Sequence, residues 1–271
     1  MIRASGVGKS FQFTSGQHIA VLGAVDLHVR PGEFVAVVGP SGCGKTTLLK
    51  ILAGLADPDA GSVRIGGARP KAFMEQGRIG YMSQADSLLP WRNVTGNVEI
   101  GLELNGHCSR DREEVVQDLI HRIGLEGFEK SYPFELSGGM KKRVALMRTL
   151  AYDPSIIYMD EPFGALDVQT RDMLEDDVLH IWDETQKTIV LVTHDLAEAI
   201  CLADRVLLMT ARPSAIKNEY VIDLPRPRNT EIRLTERFAS ILREIWKDLS
   251  AEVQKWPAPA RQQQRSRRET G

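Results

Sequence analysis

The run Gly39-Pro40-Ser41-Gly42-Cys43-Gly44-Lys45-Thr46-Thr47 sets glycines, a lysine and hydroxyls between the apolar residues 34–38 and the apolar Leu48, Leu49, Ile51 and Leu52. That order predicts a strand, a glycine-rich turn and a helix start, the arrangement in which a P-loop binds phosphate. Glycines 39, 42 and 44 open backbone conformations that let successive N–H groups converge on phosphate oxygens, and the helix N-terminus adds the positive end of its dipole. Lys45 then reaches the β- and γ-phosphates, and the Thr46 hydroxyl ligates Mg²⁺. A second group, Ser155-Ile156-Ile157-Tyr158-Met159-Asp160-Glu161, reads as a buried strand with two carboxylates at its C-terminal end, where open α/β sheets bind their ligands. There Asp160 can hold Mg²⁺ through water, and Glu161 can polarise a water for in-line attack on a γ-phosphate. A third group, Leu136-Ser137-Gly138-Gly139-Met140, precedes Lys141-Lys142-Arg143 and the helical run Val144-Ala145-Leu146-Met147. A serine and two glycines opening a helix make another anion site of N–H groups and dipole. The chain therefore has two phosphate cradles but one P-loop, and its chemistry is that of a nucleoside triphosphate.

The elements that must position these groups follow from hydrophobic spacing. Residues 7–38 alternate short β-type runs with turns, among them Ala20-Val21-Leu22 and Val25-Asp26-Leu27-His28-Val29. Asp57-Pro58-Asp59-Ala60-Gly61 is a loop, and residues 62–65 with Gly66-Gly67 read as half of a hairpin. Between about residues 87 and 152 the spacing turns helical, with Val115, Val116, Leu119, Ile120 and Ile123 apolar and charges between them. Strand signals return at 156–160, 188–193 and 205–209 as continuous apolar runs, which suit strands covered on both faces. The core is thus an α/β, doubly wound sheet. Past Pro225 and Pro227, the residues Phe238, Ile241, Leu242, Ile245, Leu249 and Val253 predict an amphipathic helix packed on that core. Residues 256–271 are rich in Pro, Gln, Ser and Arg, a composition that cannot bury enough apolar surface to order itself and predicts a disordered basic tail.

Composition narrows the class. The chain has 271 residues, 42% hydrophobic and 26% charged, with a net charge of −2, which fits a globular protein and gives no basic field to imply a nucleic-acid partner. Cys43, Cys108 and Cys201 show no metal-ligand spacing and fit a reducing compartment. The N-terminus lacks an apolar h-region, and no window approaches the roughly 20 apolar residues of a membrane span. Any membrane role must come through a partner.

On its three motifs the sequence resembles the ATP-binding cassette (ABC) subunits over roughly residues 1–220, with Ser137-Gly138-Gly139 in the place of the family signature. The resemblance implies a P-loop NTPase (RecA-like) core with an antiparallel β subdomain, an inserted α-helical subdomain and a C-terminal helical extension. The boundaries expected are 1–222 for the nucleotide-binding domain, about 87–152 for its helical part, 223–255 for the extension and 256–271 for the tail. It also implies that two copies sandwich two ATP molecules head to tail, each signature facing the nucleotide of the other copy. Gln84 matches the Q-loop that senses Mg²⁺ and the attacking water, Asp167 the D-loop at the dimer seam, and His194 the switch histidine that contacts the γ-phosphate. Phe11 resembles the aromatic that stacks on adenine, although Phe13 is close by and a core role for either is equally open. One departure stands out: many family members carry Gln after the signature glycines, where this chain has Met140 and then Lys141-Lys142.

One cassette without a membrane segment resembles the separate ATPase subunit of bacterial importers. Leu88, Leu89, Pro90, Trp91 and Val94 are apolar for a loop, in the region that in the family receives the permease. The stretches at 161–167, 193–199, 209–213 and 223–228 resemble the nitrate, sulfonate and taurine importer branch. The expectation is therefore an ATPase at the cytoplasmic face of the membrane, serving a small anion. Its expected partners are a second copy, an integral membrane permease and, indirectly, a periplasmic or extracellular solute-binding protein, with no nucleic acid. A lipid-handling transport ATPase and a non-transport regulatory ABC ATPase are the alternatives.

Overall fold

The computed structural model describes residues 2–12, 16, 18–85, 87–106, 108–164 and 166–255. Phe13, Ala165 and the tail from Trp256 onward lie outside the described residues. The chain begins with strands β1 (Ile2–Gln12), β2 (His18–Val29) and β3 (Phe34–Val38), then helix α1 (Lys45–Leu52) and strand β4 (Ala60–Ile65). A short α2 (Pro70–Glu75) leads to β5 (Ile79–Met82), and a helical stretch follows with α3 (Val94–Leu104), α4 (Ser109–Arg122), a 3₁₀ turn at Pro133–Glu135 and α5 (Gly138–Leu150). The remainder alternates: β6 (Ile156–Asp160), α6 (Val168–Thr185), β7 (Thr188–Val192), α7 (Leu196–Leu202), β8 (Arg205–Met209), β9 (Ile216–Val221), a 3₁₀ helix at Thr230–Leu234 and α8 (Glu236–Lys255).

β1, β2 and β4 form a three-stranded antiparallel sheet, and the other six form a second sheet in the order β5-β6-β7-β3-β8-β9. In that sheet β5, β6, β7, β3 and β8 pair in parallel and only β9 runs antiparallel. Every residue of β3, β6, β7 and β8 is buried, as parallel strands covered on both faces require. Because side chains alternate across a strand, Phe34, Ala36 and Val38 join an apolar layer with α3 to α8. Val35 and Val37 join the opposite layer, with α1 and the antiparallel sheet. The P-loop strand is thus locked from both sides.

Three sequence expectations need correction. The antiparallel sheet starts at Ile2 rather than at residue 7, and the runs 20–22 and 25–29 belong to one strand, β2, whose pairing with β1 absorbs register shifts between Ala4 and Ser10. β9 was not foreseen, because an edge strand of half-exposed, mostly polar residues carries no continuous apolar signal. On α8, Phe238, Ile241, Ile245 and Leu249 are buried and Leu242 is half-buried, but Val253 is 51% exposed. Glu252 takes the inward place instead and pairs with Lys217 and Lys255.

Arg226, Arg228 and Arg233 tie the extension to the core, the first through Asp204 and the last through Asp172 and Glu175 of α6. Arg228 is buried and donates to the carbonyls of Ile200 and Ala203 at the end of α7 and to those of Ile222 and Leu224. These include helix-terminal carbonyls that lack an intrahelical partner. Burial, reinforced by Arg226, pushes the Arg228 pKa down to about 10.

Candidate active site

The parallel order β5-β6-β7-β3 lays four C-terminal strand ends side by side. Gln84 lies two residues past β5, Asp160 and Glu161 close β6, His194 lies two past β7, and residues 39–47 follow β3. Residues scattered over more than a hundred positions of sequence therefore share one rim, the crevice where open α/β sheets bind ligands.

The phosphate loop is shaped by close approach. Gly44 caps α1 at φ 117, and a Cβ there would stand 2.6 Å from Val21 Cγ1, so any other residue would meet both backbone strain and a clash. The buried Ser214 hydroxyl bonds the carbonyls of Cys43 (2.8 Å) and Val21 (2.9 Å), fastening the loop to β2. Cys43 is buried within the loop, and desolvation raises its thiol pKa. Lys45 is buried too, with its Nζ donating to the carbonyls of Gly39 (2.9 Å) and Pro40 (3.2 Å). This leaves the ammonium curled into the loop that a triphosphate would occupy.

Thr46 Oγ1 donates to Asp160 Oδ1 at 2.8 Å, while the Tyr81 hydroxyl reaches Asp160 Oδ2 at 3.3 Å. Burial first, and then the Asp160 charge, hold the Tyr81 hydroxyl above the ordinary tyrosine range. A buried carboxylate beside a threonine hydroxyl suits a small hard cation with oxygen ligands, and Mg²⁺ takes one or two carboxylates together with phosphate oxygens and water. Among the described residues no cluster of three or more His, Cys, Asp or Glu could hold a metal alone, so such a cation would need the nucleotide to complete its shell.

Next to this pair, Glu161 sits at φ 47, a left-handed backbone that costs a non-glycine residue of order 1–3 kcal/mol and clusters at functional sites. Its N–H bonds the Val192 carbonyl at 2.8 Å. Glu161 Oε2 takes Gln84 Nε2 at 3.2 Å and faces His194 Nδ1 at 3.2 Å. The His194 side chain is 61% exposed against 21% for Glu161, so a carboxylate is held inside while the imidazole stands at the rim. With Nδ1–H donated to the carboxylate, Nε2 is left for another partner.

The sequence-named groups 137–139 lie elsewhere. Ser137 caps α5 by accepting the Met140 N–H at 3.3 Å, and Ser137 and Gly138 are exposed. Among the described residues no hydrogen bond or ion pair joins 137–139 to 39–47, so one chain does not close its own second cradle. Asp167 caps α6 through the Thr170 N–H (3.0 Å) and hydroxyl (2.7 Å). Phe11, at the end of β1, is 44% exposed with the Lys9 ammonium 5.8 Å from its ring centroid. Sequence reasoning missed Tyr81, Ser214 and the grip of Lys142, whose buried Nζ donates to the Gln84 carbonyl at 2.6 Å. Only Lys142 had a signal, as part of the departure after the signature glycines; Met140 turns inward against the helical layer.

The chain is similar to known proteins in sequence and in fold. The family described as "ABC transporter" matches residues 22–164. An uncharacterized ABC transporter ATP-binding protein of Methanocaldococcus jannaschii is 47% identical over 248 residues, 91% of each chain. The nitrate import ATP-binding protein of Synechocystis is 42% identical over 215 residues, covering 78% of this chain and 79% of its own. The aliphatic sulfonates import ATP-binding protein of Bacillus cereus is 40% identical over 245 residues, covering 90% and 94%. Among solved structures, a dimeric ATP-binding cassette in a post-hydrolysis state, bound to ADP and Pi, superposes with a TM-score of 0.74 at 29% identity, covering 83% of this chain and all of that one. The family match spans both the phosphate loop and the acids that close β6, so the chain belongs to the ABC transporter family and is one of its ATPase subunits.

Proposed function

We propose that this ATPase subunit works as a homodimer at the cytoplasmic face of a membrane. There it energises uptake of a small anion such as nitrate, a sulfonate or taurine through a separate permease supplied by a solute-binding protein. The meeting of Gln84 and His194 on Glu161, beside the Thr46–Asp160 pair, carries the hydrolytic part. The importer part draws support from likeness to nitrate and sulfonate import proteins and from apolar Leu88 and Trp91 at the helical edge, Trp91 being 71% exposed. Among the described residues no helix is long and apolar enough to cross a membrane.

In this reading ATP displaces the Lys45 ammonium from the Gly39 and Pro40 carbonyls onto the β- and γ-phosphates, with residues 39–47 supplying N–H donors and Phe11 facing the adenine. Thr46 and Asp160, with Gln84, would hold Mg²⁺, which neutralises phosphate charge. Glu161 accepts a proton from the attacking water, Gln84 orients that water, and His194 contacts the γ-phosphate. Ser137, Gly138 and Gly139 of one copy, with Asp167 at the seam, cover the nucleotide held by the other. Closure then requires both copies, so hydrolysis and the pull on a permease are linked.

The test is reconstitution in liposomes of the chain with its permease and solute-binding protein. Hydrolysis should rise several-fold with one of nitrate, alkanesulfonates or taurine inside the assay, and fall away when Trp91 and Leu88-Leu89 are made polar. Hydrolysis indifferent to every anion would refute the importer reading while leaving the ATPase intact, and retained coupling in the polar variant would refute the docking role of Leu88, Leu89 and Trp91.

A further inference from the structure

The first turn of α6 touches both functional faces of the chain. Asp167 caps this turn through Thr170, and the Thr170 methyl packs so tightly over the signature helix that a Cβ at buried Gly139 would stand 2.2 Å from it. One residue on, Arg171 reaches the other way. Its Nη2 donates to the Leu166 carbonyl at 3.2 Å and its Nη1 to Asp195 Oδ2 at 3.3 Å. Asp195 is the residue after His194, and its other oxygen caps α7 by accepting the N–H groups of Ala197 (2.8 Å) and Glu198 (3.3 Å). The Asp195 N–H is held by the Thr193 hydroxyl at 3.0 Å, and that hydroxyl donates to buried Glu198 at 3.0 Å. Arg171, Glu161, Thr193, His194, Asp195 and Glu198 all line one cavity of about 70 Å³.

We infer that Arg171 is a positioning residue for hydrolysis: by holding the Leu166 carbonyl and the Asp195 carboxylate together, it fixes His194 relative to the turn that seats the signature glycines. A guanidinium suits this task because its donors sit in a rigid planar fork and bind two acceptors at a set separation, which an ammonium on a flexible stem does not reproduce. The consequence is a short mechanical path inside one chain. A partner nucleotide pressing on residues 137–139 shifts Thr170 and the α6 turn, and Arg171 passes that shift to the switch loop serving the chain's own nucleotide. Two half-sites on different faces are then coupled without any contact between their ligands.

This inference rests on the reading of His194 as the γ-phosphate contact, and the experiment separates the two. ATPase kinetics and nucleotide affinity are measured for Arg171→Met, Arg171→Lys, Asp195→Asn, the Arg171→Met/Asp195→Asn double variant and His194→Ala, each beside a thermal melt. Arg171→Met should lower kcat about tenfold to a hundredfold, the scale of a small misplacement of a reacting group, with the KM for ATP nearly unchanged. Lysine should recover part of the loss, since it restores the pair with Asp195 but not the bridge. Asp195→Asn keeps a good helix cap and removes only the ion pair, so it should mimic Arg171→Met, and the double variant should be no worse than either single one. Unchanged kcat in Arg171→Met, additive losses, or a loss that follows the melting temperature alone would overturn the role of Arg171. Full activity in His194→Ala would remove the underlying reading as well, whatever Arg171 does.

Discussion

Glu161 is held in a backbone conformation that a non-glycine residue seldom adopts, and its carboxylate meets two side chains from neighbouring strand ends. Replacing it with Gln keeps the size and the amide-compatible contacts but removes the proton acceptor. The Glu161→Gln protein is expected to bind ATP with ordinary affinity while kcat drops by about 10²- to 10⁴-fold, the usual share of a general base. ATP-bound dimer should then accumulate, as read by phosphate release and by size-exclusion chromatography with ATP present. At this scale the P-loop, Asp160 and Glu161 were picked out by their offsets from apolar strands, and His194 by the family resemblance. Tyr81 and Ser214 were not, since their value lies in partners brought close only by strand order: Asp160 for the first, and Cys43 and Val21 for the second.

At the scale of elements, the junction of α5 and α6 is the tightest joint in the chemistry. Gly139→Ala should destabilise the protein by about 1–3 kcal/mol, the ordinary cost of overpacking, and depress hydrolysis by displacing the signature turn. Thr170→Ser deletes the methyl that clashes yet keeps the hydroxyl bonded to Asp167, so adding it to Gly139→Ala should restore most of the melting temperature. Failure of that rescue in a urea titration would show that the glycine serves some other end. Helix α4 was foreseen from 3.6-residue spacing, α5 from the serine and glycines that open a helical run, and β3, β6, β7 and β8 from unbroken apolar runs; α6 was not foreseen. β9 escaped because its side chains are half-exposed and polar, and Val253 was misplaced because Glu252, neutralised by Lys217 and Lys255, takes the inward position.

For the molecule as a whole, the helical layer encloses carboxylates under the switch loop. Desolvation chiefly pushes Glu175 up to about 7, against the pull of Arg233, and raises Glu198 well above the carboxylate range with Glu175 adding to the rise. A folded-state pKa above the unfolded one means that the folded state binds the proton more tightly. The stability contributed is complete below the ordinary glutamate value of 4.5 and is lost as pH rises through about 7 for Glu175, a change of roughly 3 kcal/mol. Glu175→Gln removes that share, so the variant should gain on the parent between pH 5 and pH 8, measured as the difference between their denaturant midpoints. A constant difference across that range would show that Glu175 titrates normally.

The sequence by itself determined the local pieces: a glycine-rich turn between strand and helix, acids closing an apolar run, a serine and two glycines opening a helix. Such pieces depend on backbone freedom, capping and periodicity, all decided within a few residues. Only the tertiary structure decided that β5, β6, β7 and β3 stand in that order, so that Gln84, Glu161 and His194 meet beside Thr46 and Asp160. It also decided that Thr170 abuts Gly139 while Arg171 grips Asp195. Those proximities come from burying both faces of a parallel sheet and from filling the space between helices, a global packing condition that no short stretch of sequence expresses.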